Sequence, residues 1–403
     1  MTAIRWEAWF GDTELELDFP EGWRVVRCLP AEGEDIGAAG IERALARPIG
    51  TPPLRELARG KRTAAVVIDD LSRPTPGDRL FPPVLAELEE AGVEGITILI
   101  GTANHRTMMR PDLEKKLGPE VLARYPVSVH FSWDGCVPVG TTSRGTPVAL
   151  NRLFVEADLR VLVGSIVPHP VTGFSGGAKL VVPAMASIDT AAAFHTGVPA
   201  AGEGLGSIDS TARRDAEEGA ALVGVDFIVN SVPTSRRGIA ALVCGDLVAA
   251  HREGARRATE LFATEAPAPA DVCVLSAYPK DNELIQYTTA LTPLLTAPES
   301  LVRPGGTVLV ATSSSEGAGF HSLFGPGMRM AGSFPRPVGD AELVIFSPGV
   351  NRGDLEPVDK DVELFGTWAQ TRRWLEAKHG PMADVSVFPC AVHQMVTRTV
   401  PFG

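Results

Sequence analysis

Cysteine is scarce and scattered in this chain: Cys28, Cys136, Cys244, Cys273 and Cys390 are the only five, with no C-x-x-C pair among them. That excludes a disulfide framework and the common zinc and dithiol patterns, and leaves small apolar residues suited to a reducing compartment. No stretch reaches the roughly 18 apolar residues of a spanning helix. The opening MTAIRWEAWFGD also lacks a basic segment followed by an apolar one, so the expectation is a cytoplasmic protein with no membrane partner. Basic side chains are outnumbered, 37 Lys and Arg against 49 Asp and Glu, and the formal charge of −12 argues against nucleic acid as a partner. Internal repeats, low-complexity blocks and heptad seams are absent.

What is present is a length of 403 residues, 44% of them hydrophobic. This is enough for two or three domains, each with its own core. Ile4 to Phe19, with a turn at Gly11-Asp12, reads as a β-hairpin capping the first domain. From Thr63 short apolar runs alternate with helical patterns: TAAVVIDD, PPVLAELEEAG, GITILIGTANH, PDLEKKLGPEVLARY, VSVHFSW and DLRVLVGSIV. That alternation predicts a parallel α/β sheet. ATEAPAPA reads as a linker, and a second α/β region follows with DVCVLSAYP, GGTVLVATSS, AELVIFSPG and VSVFPC. The expected fold is therefore α/β, with two domains, mainly parallel sheets and an active-site cleft between them. The boundaries are 1–265 for a cofactor-binding domain and 270–385 for the second, the tail 386–403 being free to pack back onto the first.

Three clusters could carry chemistry. Asp69-Asp70-Leu71-Ser72-Arg73-Pro74-Thr75-Pro76 follows a strand, and its prolines exclude regular helix. A guanidinium there suits a bidentate grip on carboxylate or phosphate, although a local Asp–Arg pair holding the turn is an equal alternative. Gly101-Thr102-Ala103-Asn104-His105-Arg106 places a histidine, able to exchange a proton near neutrality, after another strand. Pro168 to Lys179, PHPVTGFSGGAK, is the densest, with a likewise isolated His195 sixteen residues beyond it. Its glycines permit close backbone approach to a ligand. It is not a P-loop, because Ala178 separates Gly177 from Lys179 and Leu180 stands where a metal-binding hydroxyl is needed. G-x-G-x-x-G and H-E-x-x-H are absent as well. The residues alone thus lead to an α/β enzyme with a His, Lys and Arg site and room for one histidine-bound metal.

The ordered set D-L-S-R-P at Asp70–Pro74, N-H-R at Asn104–Arg106, PHPVTGFSGGAK at Pro168–Lys179 and then His195 resembles the nickel-dependent lactate racemase family. Tyr278-Pro279-Lys280-Asp281-Asn282, Gln286 and Trp368 extend the likeness over most of the chain. The resemblance implies a 2-hydroxy acid racemase or epimerase. Its cofactor would be a covalently attached nickel-pincer nucleotide, a pyridinium-3,5-bisthiocarboxylic acid mononucleotide holding nickel, made by dedicated biosynthetic enzymes that act as partners. Lys179 would be the tether and His195 the metal ligand, with Asp70, Gly173, Ser175, Gly176 and Gly177 at the cofactor. His105 and His169 would be the acid/base pair. Arg73, Gln286, Thr289 and Trp368 would meet the substrate, Trp368 lining the cleft. One departure stands out: the family places a lysine three positions after such a glutamine, and here that position is Thr289, which predicts a substrate other than lactate. A redox enzyme using the same cofactor, or a nucleotide-binding carrier without turnover, are the alternatives.

Overall fold

The structure, a computed structural model, describes residues 1–196, 204–323, 338–359 and 361–402. The chain is mixed α/β and divides into two compact units, residues 33–258 in one and residues 1–32 with 259–403 in the other.

In the unit of residues 33–258 the strand Thr63–Asp69 is buried from Ala64 onward, so its apolar run is covered on both faces of the sheet. It lies between Gly95–Gly101 and Leu159–Ser165, parallel to both. The six-stranded sheet continues to Val127–Val129 on one side and to Phe227–Pro233 and Ile239–Gly245 on the other, only the last running antiparallel. The chain thus steps outward through two strands and then returns past its starting strand to lay down Leu159–Ser165. That reversal makes a switch point between Thr63–Asp69 and Leu159–Ser165, and in open α/β sheets ligands gather at the carboxyl ends beside it. The helix Gly77–Glu90 buries Leu80, Phe81, Val84, Leu85 and Leu88, the three-and-four spacing of one helix face.

The other unit also holds a six-stranded sheet, parallel throughout. Its order is Glu363–Phe365, Glu342–Phe346, Val302–Ala311, Ala270–Ser276, Asp384–Phe388 and Arg24–Arg27. Alternate residues part to opposite faces. Cys273, Leu275, Val308 and Val310 pack with Leu284, Tyr287 and Leu291, whereas Val272, Val274, Leu309 and Ala311 pack with Ile4, Trp6, Leu17 and Trp23.

The predicted hairpin forms, Thr2–Trp6 against Thr13–Leu17, but it packs in this second unit rather than capping the first. The domain boundaries are corrected accordingly. Residues 1–32 belong with 259–403 because Arg24–Arg27 completes the second sheet beside Asp384–Phe388, a pairing across 360 or so residues of chain that local pattern cannot disclose. The tail 386–403 stays in the same unit. Ala263–Pro267, expected as linker, is a strand parallel to Met395–Val400. Its small residues and proline at the strand end hide the pattern of a half-buried edge. The helical reading of PDLEKKLGPEVLARY breaks in two at Gly118, whose φ of +81° stops the first helix.

Candidate active site

The D-L-S-R-P loop leaves the carboxyl end of the central strand, and its two carboxylates take different partners. Asp69 accepts from the buried Lys116 ammonium at 2.7 Å and from Thr75 Oγ1 at 2.7 Å. Lys116 also donates to the carbonyls of Asp70 at 2.8 Å and Arg73 at 3.0 Å, so one buried cation holds the loop from below. Asp70 faces the other way, 2.7 Å from His105 Nδ1, and accepts from Ser72 Oγ at 2.5 Å and Ser72 N at 3.0 Å. Burial alone would raise the Asp70 carboxyl, but His105, Arg73 and Ser72 outweigh it and hold it below the usual carboxylate range. The local Asp–Arg pair is not what forms. Arg73 Nη1 donates instead to Ser72 O and Oγ, at 3.0 and 2.8 Å.

A carboxylate on Nδ1 fixes the tautomer of His105: the proton sits on Nδ1 and Nε2 keeps its lone pair. His169 is set the opposite way. It ends a two-residue strand turned back on Gly173–Phe174, and its Nδ1 accepts from Val171 N at 3.2 Å and Thr172 N at 3.3 Å, which leaves the ring proton on Nε2.

The glycine-rich segment follows Leu159–Ser165, on the other side of the switch point. Gly176 and Gly177 both have positive φ, +72° and +54°, and a Cβ on them would meet Asn230 Oδ1 at 2.7 Å and His251 Cδ2 at 2.8 Å. Only glycine fits, and the short 3-10 turn Gly177–Leu180 then presents Lys179. No regular helix follows directly; the next begins at Ile188. Asp70, Arg73, His105, Ser175, Gly176 and Lys179 line one open pocket. The desolvation of this setting, reinforced by Arg73 and Arg213, puts the Lys179 ammonium well below the ordinary lysine value.

His195 closes the helix Ile188–His195. Its Nδ1 donates to Ala191 O at 2.7 Å, which leaves Nε2 as an electron-pair donor. Burial chiefly, with Lys179 adding to it, lowers the imidazole to about 4, so it is neutral at physiological pH. Neutral imidazole oriented by a carbonyl is the form in which histidine binds a metal. Among the described residues no three His, Cys, Asp or Glu side chains gather around a common point. A metal at His195 therefore fits best as part of a group that brings donors of its own.

Gln286, Thr289 and Trp368 belong to the second unit. Gln286 and Thr289 lie half-buried on the 3-10 turn Leu284–Leu291, with Thr289 Oγ1 donating to Gln286 O at 2.8 Å. Trp368 starts the helix Trp368–His379 and packs with Phe19 and Phe346 on the opposite face of the sheet from Leu284 and Tyr287. Its indole N–H is committed to Asp18 Oδ1 at 2.8 Å, so the structure does not bring it together with Gln286 and Thr289. Lys116, Asn230, Arg213 and His251 escaped the sequence reading. Each acts across 37 or more residues of chain and sits in no motif.

Residues 10–204 match the lactate racemase N-terminal domain. The lactate racemase of Thermoanaerobacterium thermosaccharolyticum is 30% identical over 333 residues, 78% of this chain and 76% of that protein. That of Lactiplantibacillus plantarum is 30% identical over 296 residues, 70% and 68% of the two. Among solved structures, the lactate racemase apoprotein of T. thermosaccharolyticum has a TM-score of 0.77 at 24% identity, covering 98% of this chain and 100% of that one. A Thermotoga maritima crystal structure has a TM-score of 0.69 at 18% identity, covering 91% and 99%. Both share the fold.

Proposed function

Because the chain belongs to the lactate racemase family it is a racemase, and we propose that it inverts a 2-hydroxy acid with a nickel-pincer nucleotide tethered at Lys179 and ligated by His195. The residues fit such a group. Lys179 offers an amine disposed toward the neutral form, His195 an oriented Nε2, and Gly176 and Gly177 a surface that any side chain would block. When bound, the group supplies a reversible hydride acceptor beside the substrate carbon.

The observation that carries the reading is the opposed tautomers of the two histidines. Inversion at a carbinol carbon requires that one face lose the hydroxyl proton while the other can return one. His105 Nε2, with Nδ1 held by Asp70, is set to accept; His169, its Nδ1 turned to two backbone N–H groups, presents Nε2–H as a hydrogen-bond donor to the substrate oxygen. When the reaction runs backwards the two exchange roles. Arg73 Nη1 is the only one of its guanidinium nitrogens spent on Ser72 among the described residues, and the remaining donors suit the substrate carboxylate.

Loading depends on the cofactor-making enzymes as partners. Coexpression with them, followed by intact mass and nickel analysis, should give a cofactor-sized adduct that Lys179→Ala abolishes, while His195→Ala keeps the adduct and loses nickel. An adduct that survives in the lysine variant overturns the tether.

On the substrate side, Gln286 would orient the hydroxy acid, and Thr289 supplies a neutral hydroxyl where a second cation would grip a small carboxylate. Lys280 and Arg303 are the cations of the second unit that could replace that charge; Arg303 is bound to Asp271 and Asp384 at 2.6 and 2.8 Å. A larger hydroxy acid gains binding from additional groups, so lactate should turn over poorly. Chiral chromatography of a panel of enantiopure hydroxy acids tests this, and lactate emerging with the highest kcat/KM would refute it.

A further inference from the structure

The peptide groups that precede Lys179 are held one after another by buried side chains from three separate elements. Arg213, on the helix Thr211–Ala221, donates to the carbonyls of Phe174 and Gly176. His251, on Ala249–Leu261, donates from Nε2 to Ser175 O at 2.9 Å. Asn230, in the strand Phe227–Pro233, accepts from Gly177 N at 2.7 Å. All three side chains are at most 1% exposed, and Arg213 Nε, His251 Nδ1 and Asn230 Nδ2 have no hydrogen bond among the described residues. Their side-chain hydrogen bonding is therefore spent on this one loop. Burying a guanidinium without a carboxylate partner is costly, and a core that only needed filling would be better served by an apolar side chain.

We infer that Arg213, assisted by His251 and Asn230, is a positioning residue for Lys179: it draws the carbonyls of 174 and 176 inward, locks the left-handed glycine pair, and so aims the lysine amine into the pocket. The inference rests on Lys179 being the point of attachment. A charge fixed under the loop also disfavours a second charge on the amine, in keeping with the depressed Lys179.

Acetylation of the full-length apoprotein by acetic anhydride near neutral pH, with Lys179 followed by peptide mass spectrometry against the exposed Lys378, tests this without any cofactor. Arg213→Met should slow acetylation of Lys179 about tenfold relative to Lys378, the effect of one unit of amine basicity, and Arg213→Lys, with a charge but a poorer fork, should fall between. His251→Gln, which keeps a donor for Ser175 O, should stay near the parent. An unchanged Lys179 to Lys378 ratio in folded Arg213→Met, or an equal change at every lysine, overturns the inference. If Arg213→Met does not fold, an unchanged ratio in Arg213→Lys does so. Failure of the attachment reading is seen separately, as an adduct that persists in Lys179→Ala.

Discussion

At the scale of single residues the site turns on how adjacent, identical side chains are divided. Asp69 and Asp70 are the same acid one position apart, yet Asp69 pairs with Lys116 and Asp70 with His105. Strand geometry explains the division, since consecutive residues leaving a strand face opposite ways. The motif D-L-S-R-P was legible as a functional cluster and the resemblance singled out Asp70, but the partner that holds Asp69 was not legible, because it is a lysine 47 residues away. Asp70→Asn tests the assignment. An amide nitrogen facing Nδ1 would donate where the carboxylate accepts, drive the ring proton to Nε2 and leave no base there. Turnover of the loaded enzyme should fall by roughly a hundredfold to ten-thousandfold with the fold retained. Ser72→Ala, which keeps the carboxylate, should lose far less, and equal losses in the two variants would show that Asp70 merely holds the turn.

At the scale of elements, what was legible follows the hydrophobic pattern and what was not follows distance. Thr63–Asp69, Gly95–Gly101 and Leu159–Ser165 were readable as strands because a parallel strand buried on both faces needs an unbroken apolar run. Arg24–Arg27 carries no such signal: RVVR is largely exposed, an edge strand whose place is decided by the backbone of Asp384–Phe388. The glycine-rich segment was recognisable by composition, whereas its conformation required Arg213, His251 and Asn230, which reach it from elements 37 to 76 residues further along. Pattern reading sees what an element does to its own solvent exposure. It does not see which remote polar side chain settles a loop's carbonyls, and catalytic loops depend on such partners because their backbone lacks the ladder of a helix or sheet.

At the scale of the whole molecule the histidines set the response to acid. Of the eight, five have imidazoles lowered by burial first of all: His130, His195, His251, His379 and His393. Each stays neutral in the folded chain over a range where the unfolded chain, with an imidazole near 6.5, already binds a proton. The unfolded state then holds more protons, so stability rises with pH through this window and is lost as pH falls from about 6.5 toward 4. Asp281, raised by burial to about 6, acts in the opposite sense, losing stability as pH rises through that value, but it is one group against five. His393 is the clearest contributor. It is 1% exposed, stacked on Phe262 at 5.1 Å, without a hydrogen bond on either ring nitrogen, and lowered to about 3 by burial and by Lys280. A phenyl ring of similar shape keeps the stacking and has no proton to bind. His393→Phe should therefore match the parent within about 1 kcal/mol at pH 7 and exceed it by a few kcal/mol near pH 5 or below. Urea unfolding of the apoprotein followed at both pH values checks this. A gap between parent and variant that does not widen on acidification would mean that the buried imidazole is charged in the folded chain.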